Sequence, residues 1–303
     1  MIHRYDPTHY YNTFGPHEPA LRVSDGDTII TTTLDARGRD AGMQELAERP
    51  NPLTGPFYIE GAEPGDMLRV VIEAITPNRE YGWCGTTLAP HVVDAPYARE
   101  LPEAGLAEWQ VNAAENRATL VSPETHLGRL TLPLEPMLGC LGVAPARKQA
   151  ISSSTSGPYG GNMDYRGLAV GTTAYFPVFE PGALLFVGDG HAVQGDGEIV
   201  GMGIEISMDV QFTVHLIKGR SIGWPRAEDA EWIMTMGNAR PLDQALQHAT
   251  TEMMAWLQTE YGLDVRGASI LLGQCVRYEV GNVFDPAYTV VCKLARTMLP
   301  RYH

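Results

Sequence analysis

Residues Ala183–Glu205, ALLFVGDGHAVQGDGEIVGMGIE, decide how this chain is read. An apolar run from Ala183 to Val187 gives way to a turn-rich insert, and a second apolar run follows from Ile199 to Ile206. Short apolar runs bounded by Gly and Asp are the mark of buried strands, so the stretch predicts strand, insert, strand. The insert interleaves Asp189, His191, Gln194, Asp196 and Glu198 with Gly188, Gly190, Gly195 and Gly197. Carboxylates and an imidazole bind divalent metals or move protons near neutral pH, and glycine lets the backbone fold tightly enough for them to converge. Gly-Asp-Gly is equally ordinary hairpin punctuation, and a solvated turn accounts for Asp196 and Asp189 with no chemistry at all. Glu205 is harder to place in solvent. It lies between Ile204 and Ile206, and a carboxylate in such surroundings needs a partner or a ligand.

The 303 residues suffice for one large or two ordinary domains, and 44% hydrophobic content is that of a globular protein with a sizeable core. With 22 basic against 36 acidic residues the net charge is -14, which opposes binding to nucleic acid or to an anionic membrane. The start, MIHRYDPTHYYNTFGPHEP, lacks the basic-then-apolar order of a secretory signal, and no apolar run reaches the roughly 18 residues of a membrane span. Cys84, Cys140, Cys275 and Cys292 are scattered without CxxC spacing and read as free thiols. A cytoplasmic protein acting on a small molecule is expected.

Working outward, Ala20–Leu34 reads as strand, turn, strand, with Asp35 at the end of the second strand. Asn51–Tyr58, rich in Pro and Gly, reads as a loop. Met67–Ile75 and Met208–Leu216 alternate as strands, and His215 falls on the polar face of the second. Thr76–Leu127 carries little pattern beyond a strand near Ala118–Val121, and short β-like segments surround Pro133 and Pro136. From Pro241 to Tyr261 the period becomes helical, with Leu242, Leu246, Ala249, Met253, Trp256 and Leu257 on one face and Gly262 at the end. A shorter helix over Gly267–Val276 and a strand near Thr289–Leu294 complete the pattern. The fold class is therefore α+β, predominantly β, with a β-sandwich or barrel-like core and helices late in the chain. Residues 1–303 are taken as one domain, with a β-rich subdivision near 130–150 as the alternative.

Ser152–Asp164, SSSTSGPYGGNMD, is the second informative stretch. Small hydroxyl residues and glycines leave backbone N–H groups free to cradle an oxyanion, and the same composition describes a flexible surface loop. Asp164 closes it just before the next β run.

These residues carry a family likeness. Asp25-Gly26-Asp27-Thr28, Thr33-Leu34-Asp35, Asn51-Pro52 with Thr54-Gly55-Pro56, Glu60-Gly61-Ala62, Pro64-Gly65-Asp66 and Gly142-Val143-Ala144-Pro145 are in family order. Gly160-Gly161-Asn162-Met163-Asp164, Gly188-Asp189-Gly190-His191-Ala192 and Gly195-Asp196-Gly197-Glu198 continue it, and the ordered set resembles the acetamidase/formamidase family over Leu21–Lys293. The resemblance implies hydrolysis of a small aliphatic amide of the formamide or acetamide type to carboxylate and ammonia. It implies a homodimer and a divalent metal, zinc, held by Asp35, Asp164 and His191, with Asp189 and Glu205 as further ligands. Tyr159 stands where the family loop often has His, and Gly190 stands where an apolar residue often precedes the His. Both departures alter the pocket.

Amide hydrolysis needs an activated water, charge stabilisation and a proton for the leaving nitrogen. A bound zinc would lower the pKa of water towards about 7, with Glu198 or Glu205 as general base. The N–H groups of Gly160 and Gly161, or the Asn162 amide, would face the oxyanion, with Tyr159 beside the substrate. The alternative is a non-catalytic β protein that holds a structural metal, such as Ca²⁺ among oxygen ligands, or a small ligand.

Overall fold

The computed structural model describes residues 1–300. Its strands form two large stacked sheets and two smaller ones. The nine-stranded sheet runs Ile2–Arg4, Thr28–Thr32, Met208–Ile217, Met67–Pro77, Thr173–Pro177, Arg226–Glu228, Trp232–Ala239, Tyr288–Ala295, Arg277–Asn282. Alternation sets its register. Phe212 and Val214 pair with Ile72 and Val70, all four buried, while Asp209 on the same strand faces outward.

The six-stranded sheet runs Ser156–Gly157, Gly160–Asn162, Met137–Gly142, Leu185–His191, Leu53–Ile59, Leu21–Val23. Its inner face meets the nine-stranded sheet at Phe57 and Phe212, whose rings sit edge to face at 5.6 Å. Each buried ring contributes roughly 1.5–3 kcal/mol of transfer free energy, so contacts of this kind hold the sheets together. Both strand orders are open, so the core is a sandwich and not a barrel. Leu138, Cys140, Leu141, Val143 and Ala144 belong to this same core.

Several local expectations give way to the tertiary structure. Asn51–Tyr58 is not a loop, because Leu53–Ile59 is a strand buried between Leu185–His191 and Leu21–Val23. Ile199–Ile206 is not a strand; only Glu205 forms β-bridges, to Trp83 and His191. The two strands within Ala20–Leu34 do not form a hairpin, since Leu21–Val23 lies in one sheet and Thr28–Thr32 in the other. Thr76–Leu127 holds Tyr81–Gly85, Leu106–Asn112 and Arg117–Ser122, which with Thr131–Pro133 make a four-stranded sheet. Its signal was modest but present, in the buried alternation of Ala107, Trp109 and Val111.

The two long helices pack on the far end of the large sheet. Leu242–Tyr261 lays Ala249, Met253, Trp256 and Leu257 against Ile233, Cys292 and Leu294, and ends where Gly262 turns left-handed at φ 62°. Leu242 and Leu246, expected on that buried face, are 37% and 39% exposed. Asp264 caps the helix Val265–Cys275 by accepting from the Gly267 N–H.

Candidate active site

The strand Leu185–His191 runs between Met137–Gly142 and Leu53–Ile59 and is buried along its whole length. Asp189 and His191, two residues apart on it, bring their side chains within 3.6 Å. The hairpin reading of Asp189 is thus corrected: it is part of a strand and buried, whereas Asp196 lies on an exposed turn beside Arg166, at 3.6 Å.

Two glycines make room for the charged groups. A Cβ on Gly139 would lie 2.3 Å from Asp164 Oδ1 and 2.7 Å from Asp189 Oδ2, so only glycine lets these carboxylates meet across the sheet. A Cβ on Gly203 would sit 2.5 Å from the His191 ring. Glu205 arrives through backbone bonds with Trp83, which place its Oε1 3.1 Å from His191 Nε2.

The result is two overlapping ligand groups, Asp189–His191–Glu205 and Asp164–His191–Glu198, each with donor atoms within 4.8 Å of one another. Every member is buried. Among the described residues, Asp189 Oδ1, His191 Nε2, Glu205 Oε2 and Asp164 Oδ1 are buried without a hydrogen-bond partner, although His191 Nε2 is within ion-pair range of Glu205. Unsatisfied buried anions of this density call for a cation.

The neighbours fix each side chain. Gln194 Nε2 donates to the carbonyls of Asp164 at 2.6 Å and Gly281 at 3.3 Å, so its oxygen faces His191 Nδ1 at 2.8 Å and accepts from it. Asn282 accepts the N–H groups of Phe284 and Asp285 on its oxygen, and its amide nitrogen faces Asp164 at 2.7 Å, Glu198 at 2.9 Å and Asp285 at 2.9 Å. Asn162 Nδ2 donates to Asp285 at 2.5 Å, and its oxygen accepts from the Cys140 thiol at 2.9 Å. Asn51 Nδ2 donates to Asp189 Oδ2 at 3.0 Å.

Crowding shows in the acidities. Burial, reinforced for Asp164 by Asp285 and for Glu198 by Asp164, drives both carboxyls well above the usual range. Burial pushes Asp285 up to about 6 and Glu205 up to about 7. Burial alone would lower His191, but the Glu205 and Asp189 carboxylates outweigh it and hold the imidazole well above its ordinary value. A cluster so charged can take up extra protons, or hold a metal ion in their place.

A cavity of about 220 Å³ opens onto the cluster, lined among others by Asn162, Asp189, Glu198, Glu205 and Asp285. The expected site residues divide accordingly. Asp164, Asp189, His191, Glu198, Glu205 and Asn162 come together. Asp35 does not join either ligand group: its carboxylate takes Arg79 at 2.6 Å, Trp83 Nε1 at 3.2 Å and the N–H groups of Arg37 and Arg39. Tyr159, Gly160 and Gly161 lie off the cavity wall. The glycines are paired in the sheet on both sides, and Tyr159 packs against Phe14 and donates to the Thr155 carbonyl.

Asn51 figures in the sequence only within the family-ordered set, not as a site residue, and Asn282 and Asp285 do not figure there at all. The only signal for the last two was the turn-like Gly281–Pro286 segment, GNVFDP, far from the other ligands in sequence. The four cysteines are unpaired, and no helix among the described residues is long and apolar enough to cross a membrane.

The Acetamidase/Formamidase family profile matches residues 5–154 and 148–244. The structure is similar to an acetamidase from Yersinia enterocolitica, with TM-score 0.85 and 33% identity over 99% of this chain and 94% of that one. It is similar to an acetamidase from Bacillus halodurans, with TM-score 0.81 and 32% identity over 96% and 97% of the two chains. A formamidase from Methylophilus methylotrophus is 25% identical over 260 residues, 69% of this chain, and the chain spans 64% of that relative's length. Matched over most of its length by the profile and over nearly all of it by solved acetamidases, the chain belongs to the Acetamidase/Formamidase family.

Proposed function

We propose that this protein hydrolyses the C–N bond of a small amide at a divalent metal held by Asp189, His191 and Glu205. One observation carries the metal assignment: each of these three residues has a buried, unpartnered donor atom, Oδ1, Nε2 and Oε2 respectively. In the second group Glu198 has no atom that is both buried and unpartnered: Asn282 satisfies its Oε2, and the residue lines the cavity. A donor set of one imidazole and two carboxylates suits zinc better than Ca²⁺, which prefers a cage of oxygens alone, and three protein ligands leave positions open. Bound there, the metal would supply Lewis-acid polarisation and a water acidic enough to ionise near neutral pH.

The chain's own residues do the rest. Gln194 holds the Nδ1 proton of His191, which leaves the Nε2 lone pair for coordination. Glu198, on the cavity wall beside Asp164, is placed to accept a proton from water and pass it to the departing nitrogen. Asn162 also reaches the cavity, and one of its two amide N–H groups remains after the bond to Asp285, so it is the oxyanion donor in place of the Gly160 and Gly161 amides. The reading carries a cytoplasmic location and a homodimer with it; localisation imaging and light scattering address those two points.

Ammonia release from formamide, acetamide and propionamide, with metal-replete and chelator-stripped protein side by side, tests the function. Turnover lost on stripping and restored by zinc is expected. Turnover indifferent to stripping, with metal removal verified, would sink the metal-dependent mechanism, and a metal-binding protein inert on every amide would favour the non-catalytic alternative.

A further inference from the structure

The cavity has two ends of opposite sign. Its inner end holds Asp189 and Glu205, which are 3% and 2% exposed, and its outer end holds Arg37 and the exposed Arg49. Most arginines near a carboxylate are spent on it, as Arg79 is on Asp35. Arg37 and Arg49 make no side-chain ion pair or hydrogen bond among the described residues, so their N–H groups are free.

Neither is adrift. Arg37 lies flat on the Trp83 ring, 4.2 Å from its centroid, and its backbone N–H is tied to Asp35. Arg49 is flanked by the carbonyls of Glu48 and Pro50, both of which accept from Asn12 Nδ2, while Ser153 Oγ also donates to Pro50. The two cations are close enough that Arg49, after burial, helps hold the Arg37 guanidinium below its ordinary pKa. Two like charges on the wall of one cavity, neither of them in an ion pair among the described residues, are a carboxylate receptor, because the planar guanidinium fork matches a carboxylate.

Size agrees. A water in liquid takes about 30 Å³, and an amide of four heavy atoms displaces roughly two or three waters on that scale. The cavity of about 220 Å³ leaves space for several more atoms between the acidic end and the arginines.

We propose that the substrate is an amide whose acyl chain ends in a carboxylate, with that carboxylate held by Arg37 and Arg49 and the amide carbonyl at the Asp189–His191–Glu205 end. The inference rests on the amidase reading for its chemistry and adds the substrate class. Water adds to the amide carbon, the C–N bond breaks, and the products are a dicarboxylate and ammonium.

The test uses succinate and butyrate, inert ligands of equal chain length that differ by one carboxylate, titrated calorimetrically into metal-loaded protein. Succinate is expected to bind at least about tenfold tighter, the scale of a charge-assisted hydrogen bond. The advantage is expected to shrink with rising ionic strength and to vanish in Arg37→Met/Arg49→Met. Equal binding by the wild type overturns the proposal, and so does a preference that survives in the double variant, because the second carboxylate is then held elsewhere. Should that variant not fold, Arg37→Lys with Arg49→Gln and the salt dependence of the wild type decide the same point. Ammonia release from succinamate and pentanamide separates the two readings. Succinamate that binds selectively but is not hydrolysed counts against the amidase alone, and hydrolysis of both with equal kcat/KM counts against the arginine receptor alone.

Discussion

His191 Nδ1 and Gln194 Oε1 are 2.8 Å apart, and this contact determines which imidazole nitrogen can bind a metal. Gln194 cannot turn its amide round without breaking its bonds to the Asp164 and Gly281 carbonyls. Replacing it with Leu keeps the bulk and removes the acceptor. Loss of such a supporting bond to a ligand commonly lowers metal affinity about 10–100-fold, and Gln194→Leu is expected to fall in that range. Competition with a fluorescent chelator measures it; an affinity within about twofold of wild type would show that the tautomer is set by something else.

The metal-free protein is expected to lose stability as pH rises. Asp164, Asp285, Glu198, Glu205 and His191 all have folded-state values above the ordinary ones, so the native state holds more protons than the unfolded chain. Where the native state binds the extra protons, unfolding free energy falls with pH. The decline begins at the usual carboxylate range and continues through about 6 for Asp285, about 7 for Glu205 and beyond for the rest. His191 obeys the same sign, its contribution being intact below the ordinary imidazole value and lost as pH passes its raised one. Thermal melts of chelator-treated protein between acid and mildly alkaline pH should show the fall, and zinc should flatten it. A metal-free Tm that climbs across that interval would contradict the charge balance of the site.

Gly139→Ala should abolish metal binding before it abolishes folding. The added methyl would collide with both Asp164 and Asp189. Overpacking of this kind costs about 1–3 kcal/mol, which a chain of this size can survive. Bound metal per protein and Tm, measured together, test it; full metal occupancy in a soluble variant would place the cation away from these carboxylates.

Asp35→Asn separates a structural carboxylate from a ligand. Asp35 and Arg79 are both buried and 2.6 Å apart, and removing one partner of such a pair typically costs about 3–5 kcal/mol. A strongly lowered Tm with unchanged metal stoichiometry is expected. Lost metal with little change in Tm would return Asp35 to the coordination sphere.

Phe57→Ala is expected to destabilise by about 3–5 kcal/mol, as loss of a buried aromatic side chain does. Phe57 is fully buried where the two large sheets meet at Phe212. Chemical denaturation with a two-state fit reads the loss, and a change below about 1 kcal/mol would mean that the interface repacks.

What could be read without the structure followed from periodicity and residue chemistry. Met67–Pro77 and Met208–Ile217 alternate, Leu242–Tyr261 repeats at helical spacing, and Gly262 ends it, so these elements were legible locally. The Asp189–Glu205 stretch announced its chemistry because carboxylates beside apolar residues are rarely idle, and six of the site residues named from sequence converge. Local pattern failed where burial on both faces, not alternation, makes a strand. Leu53–Ile59 looked like a loop through its Gly55 and Pro56 and became a strand because neighbours on either side satisfy its backbone.

By itself the sequence determined the β-rich class, the late helices and the residue types of the site. Tertiary structure decided which of those residues touch. Asp35 lies next to Arg79 and Trp83 and is taken by them, while Asn282 and Asp285, far along the chain, reach the cluster because the strand Arg277–Asn282 ends beside it. Charge, hydrogen bonding and coordination act over a few ångströms of space, and separation along the chain does not measure that distance.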